Sequence, residues 1–81
     1  MYYTVVDARY IQGHTVWVKF EDGAEGEVDL SHELWGEVFE PLRDVEYFQR
    51  FEIAEYGTLA WPNGADIAPE FLYEHARVST R

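Results

Sequence analysis

The sequence has no cysteine, few basic residues and no long apolar run. Without cysteine there are no disulfides, no thiolate nucleophile and no cysteine-ligated zinc to reinforce a small fold. Lys and Arg number 6 against 16 Asp and Glu, giving a formal net charge of -10. A polyanion of this kind repels phosphate backbones and gains nothing from the counterion release that drives nucleic-acid binding. Direct binding to DNA or RNA is therefore excluded as an expectation, and docking on anionic membranes is disfavoured for the same reason. No apolar stretch approaches the roughly 18 residues that span a bilayer. The opening "MYYTVVDARY" lacks the basic start and long apolar core of a secretory signal. A cytoplasmic location is the expectation. The excess of one charge speeds encounter with basic partners, although solubility alone would also account for it.

What is abundant is aromatic. The chain has 3 Trp, 6 Tyr and 5 Phe in 81 residues, and each ring buries about 150–250 Å² when it enters a core. A chain of this length hides only about 60–65% of its unfolded surface, so the rings must carry much of the core. One domain over residues 1–81 is expected, with no repeat, low-complexity tract or linker.

"MYYTVVDARYIQ" is rich in β-branched and aromatic residues and reads as a first strand. "HTVWVKF" alternates, with Val16, Val18 and Phe20 on one face and Thr15, Trp17 and Lys19 on the other. Gly13-His14 fits a tight turn between them. Glu21-Asp22-Gly23 is the strongest turn signal, since Asp-Gly supplies the positive φ angles of a hairpin. "AEGEVDL" returns with Glu25, Glu27 and Asp29 toward water and Val28 and Leu30 inward. These three strands make an antiparallel meander.

"SHELWGEVFEPLRD" then changes to helical spacing, placing Leu34, Trp35, Val38, Phe39 and Leu42 on one side of an ideal helix. Ser31 can serve as N-cap, while Gly36 and Pro41 argue against one continuous helix. Asp44 suits the cap of a second short helix that buries Val45 and Phe48. "FEIAEYGTLAW" reads as a second hairpin around Gly57, with Phe51 and Ile53 opposite Leu59 and Trp61. Pro62, Asn63 and Gly64 fit a β-turn. Pro69 fits the first turn of a last helix, whose inner face would be Phe71, Leu72, His75 and Ala76. Grouped rather than alternating strands and helices define an α+β domain: a three-strand meander and a second hairpin, packed with two or three short helices.

The residues for chemistry are sparse. His14, His32 and His75 each lack a second histidine three or four residues away, as a helical metal site would need. His14 and His32 are expected to be exposed, and His75 to sit near a helix C-terminus. Ser31 reads as a cap, and Ser79 as part of a tail. Neither a nucleophile elbow nor a phosphate loop occurs. No catalytic residue, metal site or cofactor is assigned. Trp61, Asn63, Asp66 and Tyr73 remain as a candidate ligand site where strand meets helix. The structural reading of the same stretch has Trp61 in the core beside Phe71, Pro62, Asn63 and Gly64 turning the chain, and Asp66 accepting amides from the helix that Pro69 starts.

Three motifs in order, "VKFEDGAEGEVDLS", "VFEPLRDVEYFQRFEI" and "LAWPNGADIAPEFLY", resemble the bacterial family catalogued as domain of unknown function 2442. The resemblance spans nearly the whole chain, and the aromatic-Pro-Asn-Gly-Ala-Asp run is its most specific part. It implies a small α+β domain, sometimes found N-terminal to a helix-turn-helix domain. The few residues after the last helix here leave no expectation of such a partner domain. Members are often encoded beside another small protein, an arrangement that suggests toxin–antitoxin-like pairs. The resemblance carries over no catalytic residues.

Three functions follow as expectations. The first is a non-enzymatic interaction module, antitoxin-like or regulatory, that docks a basic protein partner through exposed aromatics such as Trp17 or through edge strands. The second is a small-molecule or enzymatic site at the Trp61–His75 joint. The third is the regulatory half of an assembly in which a separate basic chain contacts DNA.

Overall fold

Alternation along the chain decides which face of the sheet becomes core. In the computed structural model, which describes residues 3–79, β1 (Val5–Gln12), β2 (Thr15–Phe20) and β3 (Glu25–Asp29) form an antiparallel sheet in that order. Val16, Val18 and Phe20 are buried with Val28, while Glu25, Glu27 and Asp29 face water. On the outer face Trp17 lies between Arg9 and Glu27 in register. β1 is an edge strand and shifts register between Val5 and Asp7 and again between Tyr10 and Gln12. Such bulges twist an edge away from flat pairing with another strand.

The β2–β3 turn corrects the simple Asp-Gly expectation. Gly23 N–H donates to Phe20 O at 2.9 Å, and Phe20 N–H donates to Ala24 O at 2.8 Å. Among the described residues only glycines have positive φ, Gly23 at 93°. Asp22 thus keeps ordinary backbone geometry, and Gly23 alone takes the left-handed position of a type I turn with a glycine bulge. The same turn recurs at Trp61–Ala65. There Gly64 N–H donates to Trp61 O, and Trp61 N–H to Ala65 O. In both copies the side chain before the glycine accepts from the alanine after it: Asp22 Oδ1 from Ala24 at 2.9 Å, and Asn63 Oδ1 from Ala65 at 3.1 Å. "FEDGA" and "WPNGA" are one local solution used twice.

The middle of the chain departs most from expectation. No helix begins at Ser31. Its N–H instead donates to Asp29 Oδ1 at 2.9 Å, so Asp29 organises the turn and Ser31 caps nothing. A 3-10 segment, Glu37–Arg43, follows with Pro41 inside it, and then α1 (Val45–Phe48). Gly36 precedes the 3-10 segment and offers no side-chain cap. Asp44 does cap α1, accepting Glu46 N–H at 3.2 Å. Because the segment is not one α-helix, its apolar residues do not share a face. Leu34 and Leu42 are buried and Phe39 is half-buried, but Trp35 and Val38 are exposed.

β4 (Glu52–Ile53) and β5 (Leu59–Ala60) form the second hairpin, and Ala60 bridges to Asp66. α2 (Pro69–Ser79) packs against β3 and β2 through buried Leu72 and Ala76. His75, expected on the inner face, is exposed instead; it stacks on Phe71 with centroids 3.8 Å apart, and Nδ1 donates to Phe71 O. The core joins the sheet face to Leu42, Phe48, Leu59, Trp61, Ala65 and Ile67. Thr58, the buried polar residue of this core, is satisfied by donating to Ile67 O. No helix among the described residues is long and apolar enough to cross a membrane.

Candidate functional site

The four side chains singled out at the strand–helix joint engage four separate partners. Trp61 is 3% exposed, and its Nε1–H donates to Phe48 O at 2.8 Å. Its ring packs against Phe48 and Phe51, whereas the sequence suggested Phe71 as its neighbour. Asn63 faces the opposite way, its Nδ2 donating to Val38 O at 2.8 Å. One amide therefore closes its own turn and pins the 3-10 segment to it. Tyr73 donates to Asp22 Oδ2 at 2.5 Å, and its ring packs against Tyr3 and meets Phe20 edge-on, tying α2 to the β2–β3 turn.

Asp66 is the correction with most consequence. Its carboxylate does not cap α2. Phe71 N–H and Leu72 N–H both donate to Ala68 O, and Asp66 Oδ2 accepts from the Tyr56 hydroxyl at 2.8 Å. The backbone bridge to Ala60 holds Asp66 against β5, two residues ahead of the position that a capping side chain would occupy. Tyr56 is 66% exposed. The hydrogen bond to Asp66, with smaller effects from desolvation and the carboxylate's charge, holds its phenol above the ordinary tyrosine pKa.

Beside Asp66 lies an open cleft of about 250 Å³, lined by Glu33, Phe39, Asp66, Ile67, Ala68 and Phe71. Asp66 is the member of the suggested four that reaches it. Glu33 and Phe39 come from the segment whose helical spacing misled, so their place in the cleft had no local signal. The remaining histidines lie elsewhere. His14 is half-buried rather than exposed; its ring meets Phe48 edge-on, and Nε2 donates to Leu42 O at 2.9 Å. His32 is exposed beside the Ser31 hydroxyl. Among the described residues no group of three or more His, Asp or Glu is placed to hold a metal ion.

The exposed tryptophan is Trp35 rather than Trp17. Trp17 is half-buried, with the Arg9 guanidinium 5.3 Å from its ring centroid and Nε1–H donating to Glu25 Oε1. Trp35 is 71% exposed yet held in place: Nε1–H donates to His32 O at 2.9 Å, and the Arg43 guanidinium lies 5.4 Å from its centroid. Arg43 is itself anchored to Leu34 O through Nε at 3.1 Å.

A three-strand antiparallel sheet, a second hairpin and a few short helices define a small α+β domain. The chain belongs to the protein family of unknown function DUF2442, which it matches over residues 5–78. Comparison with curated proteins and with solved structures gave no match.

Proposed function

We propose that this protein is a non-enzymatic interaction module, antitoxin-like or regulatory, that docks a basic protein partner. The observation that carries this reading is Trp35. An indole 71% exposed leaves much apolar area in water, and the bonds to His32 and Arg43 already restrict its side-chain freedom. A pre-ordered aromatic beside an arginine is the composition of interface hot spots. Val38, 44% exposed, follows on the adjoining segment, and the -10 charge selects a cationic surface over an anionic one.

The test is capture from the native organism on immobilised wild-type protein and on Trp35→Ala, at low and high salt. A basic protein should be retained by the wild type at low salt, less at high salt, and lost from Trp35→Ala. Retention of nothing basic at low salt refutes the reading. A second reading, a small-molecule site at the Trp61–His75 joint, draws support from the cleft beside Asp66. Under it, a metabolite would raise the melting temperature of the wild type but not of Asp66→Asn.

A further inference from the structure

We infer that the cleft between the Glu33 loop, the 3-10 segment and the start of α2 receives a single arginine side chain of the partner. This rests on the interaction-module reading above and adds the chemistry of one contact. The lining is mostly apolar, supplied by Phe39, Ile67, Ala68 and Phe71, and Glu33 and Asp66 are its two acidic residues; Phe71 also packs against His75. A guanidinium suits that combination. It stacks on aromatic faces, sheds water more easily than an ammonium, and takes carboxylates in a planar fork.

Size narrows the occupant. At about 250 Å³ the cleft falls below the roughly 300–1,000 Å³ of pockets that enclose drug-sized ligands, and it is open on one side. Asp66 Oδ2 is engaged by Tyr56, while Oδ1 has no donor among the described residues. The Tyr56 bond fixes the carboxylate's orientation before any ligand arrives. The start of α2 opposes a cation with about half a positive charge, but two full carboxylates outweigh it. Glu70, in the first turn of α2, adds to the same side.

The test is titration of ¹⁵N-labelled full chain with three capped pentapeptides, Gly-Xaa-Gly-Xaa-Gly, where Xaa is arginine, lysine or citrulline. The arginine peptide should shift the amides of Glu33, Phe39 and residues 66–71, the lysine peptide should bind several-fold more weakly, and citrulline should leave these amides unmoved. Glu33→Gln and Asp66→Asn should each weaken arginine binding by about fivefold; an asparagine can still accept from Tyr56, so the local structure is retained. Equal binding of citrulline overturns the assignment. So do shifts confined to the acidic face of β3, because they mark unspecific charge attraction. The two proposals also fail separately. A partner captured by wild type and undiminished by Glu33→Gln and Asp66→Asn overturns the cleft and leaves the module. Specific arginine binding with no partner captured overturns the module and leaves the cleft.

Discussion

Gly57→Ala puts the closure of the second hairpin onto β1 under direct strain. Gly57 has φ +83°, and its carbonyl accepts Val5 N–H at 2.9 Å, which holds the turn against the start of the first strand. An L-residue in that backbone region costs about 1–2 kcal/mol. A Cβ there would also lie 2.9 Å from Thr4 Cγ2 and 3.5 Å from Thr4 Cα. That approach is too close for carbon, and overpacking of this kind costs about 1–3 kcal/mol. The sum is about 2–5 kcal/mol, a large share of the roughly 5–15 kcal/mol that holds a domain together. In a chain of this size each kcal/mol moves Tm by about 4–8 °C, so thermal unfolding followed by circular dichroism should drop by about 8 °C or more. Thr4→Ser removes the methyl that the new Cβ meets but leaves the backbone penalty. In that background Gly57→Ala should cost about 1–2 kcal/mol, with the difference appearing as coupling in a double-mutant cycle. An unchanged Tm in the single variant refutes the left-handed requirement, and an equal cost in both backgrounds refutes the contact with Thr4.

Asn63→Ala removes both the turn bond to Ala65 and the tie to Val38 O; two partly exposed bonds make a loss of about 1–2 kcal/mol in urea unfolding. Asn63→Asp, which keeps the acceptor and loses the donor, should fall between. Tyr56 should ionise above an ordinary tyrosine in ultraviolet titration, and Asp66→Ala should bring it back. The sign follows: a raised phenol pKa stabilises the fold fully below the unfolded value, and this is lost as pH climbs through the folded one. Asp29 has the opposite sign. Hydrogen bonds from Ser31 hold its carboxyl below the ordinary aspartate pKa, so its contribution is present above that ordinary value and disappears as pH falls through the lowered one. Asp29→Asn should therefore flatten the acid limb of the stability profile relative to wild type, as read by Tm against pH.

The sheet was legible because its information is local. Val16, Val18 and Phe20 alternate with exposed or half-buried residues, and the two Asx-Gly-Ala turns each close on themselves within five residues. Asp44, which needs only the amide two residues on, was legible for the same reason. The site was less so because its bonds are not local. Tyr73 meets Asp22 across 51 residues, His14 meets Leu42 across 28, and Asn63 meets Val38 across 25. None leaves a spacing to read. Asp66 looked like a cap because proline follows at position 69, but a bridge to Ala60 placed its carboxylate toward Tyr56 instead. Trp35 was assigned inward by a helical period that Gly36 and Pro41 had already put in question. Taking those two breakers as decisive would have left Trp35 free to face water.

Under the proposed interaction reading, two groups of residues divide the labour: Trp61, Asn63 and Tyr73 build the fold, while Trp35 and the cleft would meet the partner. The most direct measurement compares partner retention by Trp35→Ala and Asn63→Ala with the Tm of each variant. Trp35→Ala should keep the wild-type Tm and lose the partner; Asn63→Ala should melt lower and, below its Tm, retain the partner fully. A Trp35→Ala protein that binds as well as wild type, or a folded Asn63→Ala protein that does not bind, contradicts that division.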